Sequence, residues 1–313
     1  MPRKTTSAQE PSPFAEESAP PPPPERPSKD RRRNTLNDLT GTEWIKSTKS
    51  WLICDSRRYH KNKTTELHPA RYPEELVSEF LLFFTKRDQW VLDPFCGSGA
   101  TLIACHETGR RGVGVEITER YAEVCARRIH ELNAEDSLFI CRGNANHLAE
   151  AALWADLPVA RDEATGLPRF DFAMTSPPYW NMLRKSRGGV ESAQKKRAKK
   201  GLDTVYSEDP DDLGNIERYE DFVEGLGRVF DGCAAVMRPG AYLVIVIQNV
   251  RTPDGEVKPL AWDLQRRVSQ TLPFQGERIW CQNSKPLGIW GYPNLFVPNY
   301  HHHYCLIFRK PVA

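Results

Sequence analysis

The chain has 313 residues and a formal net charge of +2 at pH 7, enough for one large α/β domain or two small ones. So small a net charge neither requires nor excludes a nucleic-acid partner, and the distribution of charge has to decide. Eight cysteines without a CxxC pair, no run approaching 18 apolar residues and no apolar secretory core at the N-terminus argue against a disulfide framework, a structural zinc and a membrane-spanning helix, and point to a soluble cytoplasmic protein.

Residues 1–30 contain nine prolines, including the run Pro20 to Pro24; such a segment cannot build a core and reads as a disordered tail. A single domain is expected over residues 31–313, with a short extension at 31–67 and an inserted segment at 181–215. In the extension, Trp44, Ile45, Trp51 and Leu52 suggest a short helix and an extended piece resting on the main body. A helix follows from Pro73, with Glu74 and Glu75 in its first turn and an apolar stripe of Leu76, Val77, Phe80, Leu81 and Phe84.

WVLD then reads as a strand, CGSG as a turn and ATLIACHETG as a helix closed by Gly109. RGVGVEI is a second strand and TERYAEVCARRIHEL a helix entered through Thr118. LFICR and FDFAM are the third and fourth strands. After the polar insertion come a long helix from Ile216, a turn at RPG, the apolar strand AYLVIVIQNV, a helix around LAWDLQRRVSQTL, and the strands ERIWCQ and YCLIFRK. Strands alternating with helices of this length indicate a mostly parallel seven-stranded sheet with helices on both faces. The last two strands lack a helical crossover and imply an antiparallel edge.

Two strand ends carry chemistry. DPFCGSG begins at Asp93, and its glycines allow a sharp turn and close approach to a ligand just before a helix N-terminus. Glu116 stands 23 residues later at the next strand end, where a carboxylate reaches the two hydroxyls of a ribose. The string GSGATL lacks the third glycine of a dinucleotide site, and the GK[ST] of a phosphate loop is missing as well. An acid leading the turn suits instead a cofactor with a positive amino or sulfonium centre. Asn144, one strand further on, either meets an adenine edge or caps a helix.

FDFAM delivers TSPPYW, residues 175–180, to the same edge of a parallel sheet. Prolines donate no backbone hydrogen bond and fix φ, so the Pro177–Pro178 step is stiff and presents neighbouring carbonyls outward. Those carbonyls and the Ser176 hydroxyl form a group of acceptors, which is what an exocyclic amine needs in order to attack an activated methyl. Tyr179 offers a ring face on which a planar base can stack; Trp180 adds an apolar wall or packs inward. The histidines at 301–303 alternate faces along a strand and the reaction needs no metal, so none is expected.

DPFCGSGAT at 93–101, TSPPYW at 175–180 and HPARYPEEL at 68–76 resemble the amino-group DNA methyltransferases, which modify cytosine N4 or adenine N6 using S-adenosylmethionine. The resemblance implies a Rossmann-like methyltransferase fold. It implies as cofactor residues His68, Pro69 and Ala70, which close over the carboxylate; Asp93, Phe95, Gly97, Gly99 and Thr101 around the methionine part; Glu116 with Ile117 at the ribose; and Asn144 with Ala145 near the adenine. Asn144 stands where the family often has Asp. Ser176, Pro177, Pro178 and Tyr179 are implied as the catalytic tetrapeptide, and Ser176 at its head tilts the expectation to cytosine over adenine. A cognate restriction endonuclease is a further partner the resemblance suggests; oligomeric state is left open.

Arg184, Lys185, Arg187, Lys195, Lys196, Arg197, Lys199 and Lys200 face the single acid Glu191 within 17 residues. Such a segment can neutralise the phosphates of double-stranded DNA, or form a solvated insertion countered by Glu208, Asp209, Asp211 and Asp212. With no long recognition domain after the last strand, target reading is expected from 31–67, 181–215 and the loop SKPLGIWGYPNLFVPNY. RNA amines as substrate, and a catalytically silent nucleic-acid-binding protein, are the rival readings.

Overall fold

The computed structural model describes residues 34–55, 72–180, 211–252, 254–289 and 291–312, and every element below belongs to the unit Leu36–Ala313. In the extension, helix α1 (Gly41–Ser47) opens on a reciprocal cap in which the Thr40 hydroxyl accepts from the Glu43 amide and the Glu43 carboxylate accepts from the Thr40 amide. Strand β1 (Trp51–Ile53) follows. Helix α2 (Glu74–Phe84) is preceded by Pro73 as its N-cap, and Leu76, Val77, Phe80, Leu81 and Phe84 are all buried. Trp44 packs on Phe83 of α2 with ring centroids 4.9 Å apart, which seats the extension.

The alternating part runs β2 (Trp90–Asp93), α3 (Ala100–Thr108), β3 (Arg111–Glu116), α4 (Glu119–Glu131), β4 (Leu138–Arg142) and β5 (Phe170–Thr175). It resumes with α5 (Tyr219–Val236), β6 (Met237–Ile247), the two-residue ribbon strands β7 (Val250–Arg251) and β8 (Val257–Lys258), α6 (Leu260–Val268), β9 (Phe274–Cys281) and β10 (His302–Arg309). The main sheet has the order β1-β9-β10-β6-β5-β2-β3-β4. All its neighbours pair in parallel except β10, which is antiparallel to both β6 and β9. The seven expected strands are present, and β1 adds an eighth by pairing with β9. This is the mostly parallel, Rossmann-like arrangement implied by the resemblance, with its antiparallel strand in the outer half of the sheet.

Alternation along the strands divides the core between two faces. Leu92, Val113, Ala173, Leu243 and Ile245 join the cluster that also buries Phe222, Phe230, Leu260 and Leu264 from α5 and α6. Val91, Phe172, Met174, Val244 and Val246 join the cluster that buries Phe80, Leu102 and Ile129 from α2, α3 and α4. Each such buried Leu, Ile or Phe is stabilising by roughly 1.5–3 kcal/mol over its exposed state.

The expected RPG turn is instead a bulge inside β6. Phe170 pairs with Met237 but Phe172 pairs with Tyr242, so the intervening residues step out of register, and Arg238 bonds Asp171 at 2.6 Å. Among the described residues, no helix is long and apolar enough to cross a membrane.

The connections fix where a ligand can enter. From β2 the chain proceeds outward through β3 and β4, then returns to the other side of β2 as β5 and continues to β6. The direction of winding reverses between β2 and β5, and open α/β sheets bind ligands at the carboxyl ends of strands at such a point. Asp93 and Thr175 end the two strands that meet there.

Candidate active site

Asp93 is buried at the end of β2 and accepts hydrogen bonds from four donors. These are the Tyr72 hydroxyl at 2.9 Å, the Thr175 hydroxyl at 2.6 Å, the Phe95 amide at 3.1 Å and the Thr101 hydroxyl. Four donors fill the roughly four lone-pair sites of a carboxylate. Burial raises its pKa, and the hydrogen bonds from Thr101, Thr175 and Tyr72 oppose that rise. In the geometry Asp93 is a strut joining the ends of β2 and β5 to the start of α3 and to Tyr72, two residues before α2. Tyr72 and Thr101 also bond each other.

The glycine turn is held against β3 and α4. Gly99 lies at φ 85°, in the left-handed region, and a Cβ there would stand 2.5 Å from Cys125 Sγ. Gly114 of β3 allows an equally close approach, since its Cβ would lie 2.3 Å from Cys96 Sγ. Arg128 of α4 donates to the Ser98 carbonyl at 2.7 Å and to Glu74 of α2 at 2.7 Å, pinning the turn from outside. Glu116 accepts from the Gly97 amide at 2.7 Å and the Thr118 amide at 2.9 Å. Burial raises its pKa, those two amides oppose the rise, and the nearby Asp212 adds to it.

At the end of β5, burial pushes the Tyr179 phenol up to about 12, so it stays protonated, with the Ser176 side chain acting against that rise. The Tyr179 ring meets His303 of β10 edge to face at 6.5 Å. Trp180 turns inward and packs edge-on against Tyr219 of α5 at 5.3 Å; it belongs to the core.

One cavity joins the two strand ends. Phe95, Glu116 and Ile117 line it from the first motif, Asn144 and Ala145 from the loop after β4, and Ser176, Pro177 and Pro178 from the second motif. Asp93, Gly97, Gly99, Thr101 and Tyr179 are not part of that lining, and the Tyr179 ring packs against His303 of β10. The Asn144 carboxamide caps the short turn that follows, accepting from the Asn146 amide at 2.9 Å, while still bordering the cavity. His68, Pro69, Ala70 and the eight basic residues from Arg184 to Lys200 lie outside the described residues.

Sequence reasoning missed several participants. Tyr72 sits within HPARYPEEL but became visible as a partner of Asp93 only in three dimensions. Asp211, Asp212 and Leu213 form a further wall of the cavity, although the acids there read only as counter-charge to the basic segment. No signal marked Arg128. Among the described residues, no group of three or more His, Cys, Asp or Glu could hold a metal ion.

This arrangement suits a bound nucleoside beside a planar amine. Glu116 gives two of roughly four acceptor sites to backbone amides, a geometry compatible with a ribose diol on the remainder. Phe95 and Ile117 offer apolar surface to a purine, and the Ser176 hydroxyl is an acceptor on the opposite motif.

Residues 6–127 match the family model described as DNA methylase, of the N6/N4 type. That stretch ends before TSPPYW. The chain is 34% identical over 84 residues to the type II methyltransferase M.HpaI of Haemophilus parainfluenzae, covering 26% of this chain and 27% of that one. It is 27% identical over 135 residues to the type II methyltransferase M.MthZI of Methanothermobacter thermautotrophicus, covering 43% and 38%. Among solved structures, TrmN from Thermus thermophilus matches at 12% identity and a TM-score of 0.43, covering 76% of this chain and 48% of that one. The chain spans about a quarter of the length of the first curated relatives it matches.

Proposed function

We propose that the chain, whose residues 6–127 match the N6/N4 DNA methylase model, acts as an amino-group methyltransferase and moves a methyl group from S-adenosylmethionine to an exocyclic amine of double-stranded DNA, N4 of cytosine. The observation that carries this reading is the shared cavity, lined by Glu116 from one motif and by Ser176, Pro177 and Pro178 from the other.

S-adenosylmethionine would supply a methyl carbon whose bond to positive sulfur breaks as the amine nitrogen bonds to it, leaving a neutral thioether. Glu116 would accept from the two ribose hydroxyls, with Phe95, Ile117, Asn144 and Ala145 around the base. Asp93, held by its four donors, would set the turn that meets the methionine part of the cofactor. His68, Pro69 and Ala70 would close over its carboxylate.

At the second motif, Ser176 and the carbonyls beside Pro177 and Pro178 would hold the hydrogens of the target amine and aim its lone pair at the methyl. One N–H proton then leaves through these acceptors to solvent. Positioning and electrostatics account for the acceleration, because the protein forms no covalent bond. Tyr179 would stack on the base, which must leave the duplex to arrive there. The basic residues from Arg184 to Lys200 would bind phosphates, and their contribution should weaken steeply with salt. A serine hydroxyl accepts from either amine, so cytosine over adenine rests on the resemblance at Ser176.

The test is to incubate the protein with isotopically labelled S-adenosylmethionine and mixed-sequence duplex DNA, digest to nucleosides and weigh them. N4-methylcytosine is the expected product. N6-methyladenine would move the target to the adenine amine. Label in RNA alone, or cofactor binding without transfer to any nucleic acid, would overturn the reading.

A further inference from the structure

The histidines at 301–303, the last two of which open β10, have no part in the reading so far. Their position is set by register. Thr175 of β5 pairs with Ile245 of β6, and Ile247 of β6 pairs with Tyr304 of β10. His303 therefore stands one residue beyond that last pair, on the edge of the sheet reached by Ser176 to Tyr179.

Its ring is held from two sides. It stacks on Trp280 of β9 at 4.5 Å and 25°, and it meets the Tyr179 ring at 6.5 Å. Trp280 is in turn fixed by its indole N–H, which donates to the Cys54 carbonyl at 2.7 Å. The Nδ1 atom of His303 is buried and has no hydrogen-bond partner among the described residues. A buried polar atom without a partner costs free energy, and such atoms are uncommon unless a ligand or water completes them. Burial also lowers the imidazole pKa to about 3, with Lys285 and His302 acting in the same direction. The ring is therefore neutral at ordinary pH, with one N–H and one lone pair.

Resting on the methyltransferase reading, we propose that His303 reads the target base, its Nδ1–H donating to the ring nitrogen beside the exocyclic amine. Ser176 precedes Tyr179 by three residues in the same motif and His303 meets the Tyr179 ring, so both flank the aromatic on which the base would stack. Acceptors at Ser176 with a donor at His303 match an edge that carries an amine next to a lone pair. Cytosine, with N4 and N3, and adenine, with N6 and N1, both present that edge. Guanine and thymine carry a hydrogen on the corresponding ring nitrogen and would meet the His303 donor head-on. Neutrality suits the role, because a charged imidazole would oppose the positive charge that develops on the amine.

The experiment compares methyl transfer to duplexes carrying the normal target or its deaza analogue, 3-deazacytosine for cytosine or 1-deazaadenine for adenine. The wild type, His303→Phe and His303→Asn are each assayed, and cofactor affinity is measured in parallel. Phe keeps a ring on Trp280 without the nitrogen; Asn keeps a donor near the Nδ1 position. The expected result is a loss of kcat/KM of about tenfold on the deaza duplex for the wild type. His303→Phe should start lower and show no further loss, His303→Asn should recover discrimination, and cofactor affinity should be equal in all three. Undiminished discrimination by His303→Phe overturns the assignment alone, as does a fall in its cofactor affinity that tracks the lost activity. No transfer by the wild type to the normal duplex overturns the methyltransferase reading together with it.

Discussion

The two sides of the switch point are built differently. On the β2–β4 side the two motif acids are engaged by donors: Asp93 by three hydroxyls and an amide, Glu116 by two amides. On the β9–β10 side the connecting loop exposes Leu287, Ile289, Tyr292, Leu295 and Phe296, the last of them 89% accessible, and two histidine nitrogens are buried without partners among the described residues. The first side has the rigidity appropriate to a small molecule that never varies. The second presents exposed apolar side chains and two histidine nitrogens without partners among the described residues, the groups the proposed function would assign to the target.

The largest break in this comparison should come from Asp93→Ala. It would leave the hydroxyls of Tyr72, Thr101 and Thr175 without their shared acceptor, at a cost of about 4 kcal/mol or more. Urea denaturation should show the loss, and calorimetry should show cofactor binding lost with it. An unchanged midpoint would mean that the strut carries no strain between the two motifs. Ser176→Ala comes next, with turnover reduced on the order of a hundredfold and cofactor affinity preserved. If affinity and turnover fell together, Ser176 would belong to the cofactor side instead.

Gly99→Ala should be smaller, about 1–3 kcal/mol, because the added methyl meets Cys125 Sγ and the residue must keep its left-handed backbone. Pairing it with Cys125→Ala should recover the steric part and leave the backbone part, as read from the denaturation midpoints of both variants.

The finest distinction is in pH. Folded His303 resists protonation down to about 3, whereas the unfolded chain takes up that proton near the ordinary 6.5. Stability therefore falls as pH drops from 6.5 toward 3. His303→Phe should lose less stability than the wild type between pH 7 and pH 4.5; parallel losses would show that the ring is not shielded from protons.

Legibility in the sequence divides along a similar line. The glycine turn, the acids at strand ends and the apolar stripe of α2 could be read because each is a local pattern with a physical cause. The rest depended on distant partners. Strand β1 is three residues long, too short for periodicity to show, and it exists by pairing with β9 more than 200 residues away. Pro239 and Gly240 look like a turn in isolation, but the sheet absorbs them as a bulge because β6 has β5 to lie against. Trp180 had two readings, and the space beside Tyr219 decided between them. Asp93 was visible as an acid at the right place, but its four donors come from positions 72, 95, 101 and 175, and only the neighbouring Phe95 amide follows from chain order.

That convergence bears on how such a chain could diversify. One carboxylate ties together residues from three separate stretches of backbone, so alterations at either strand end are transmitted to the other before any ligand arrives. Lineages seeking new recognition would then be free to explore the loop between β9 and β10, where Leu287, Ile289, Tyr292, Leu295 and Phe296 are exposed.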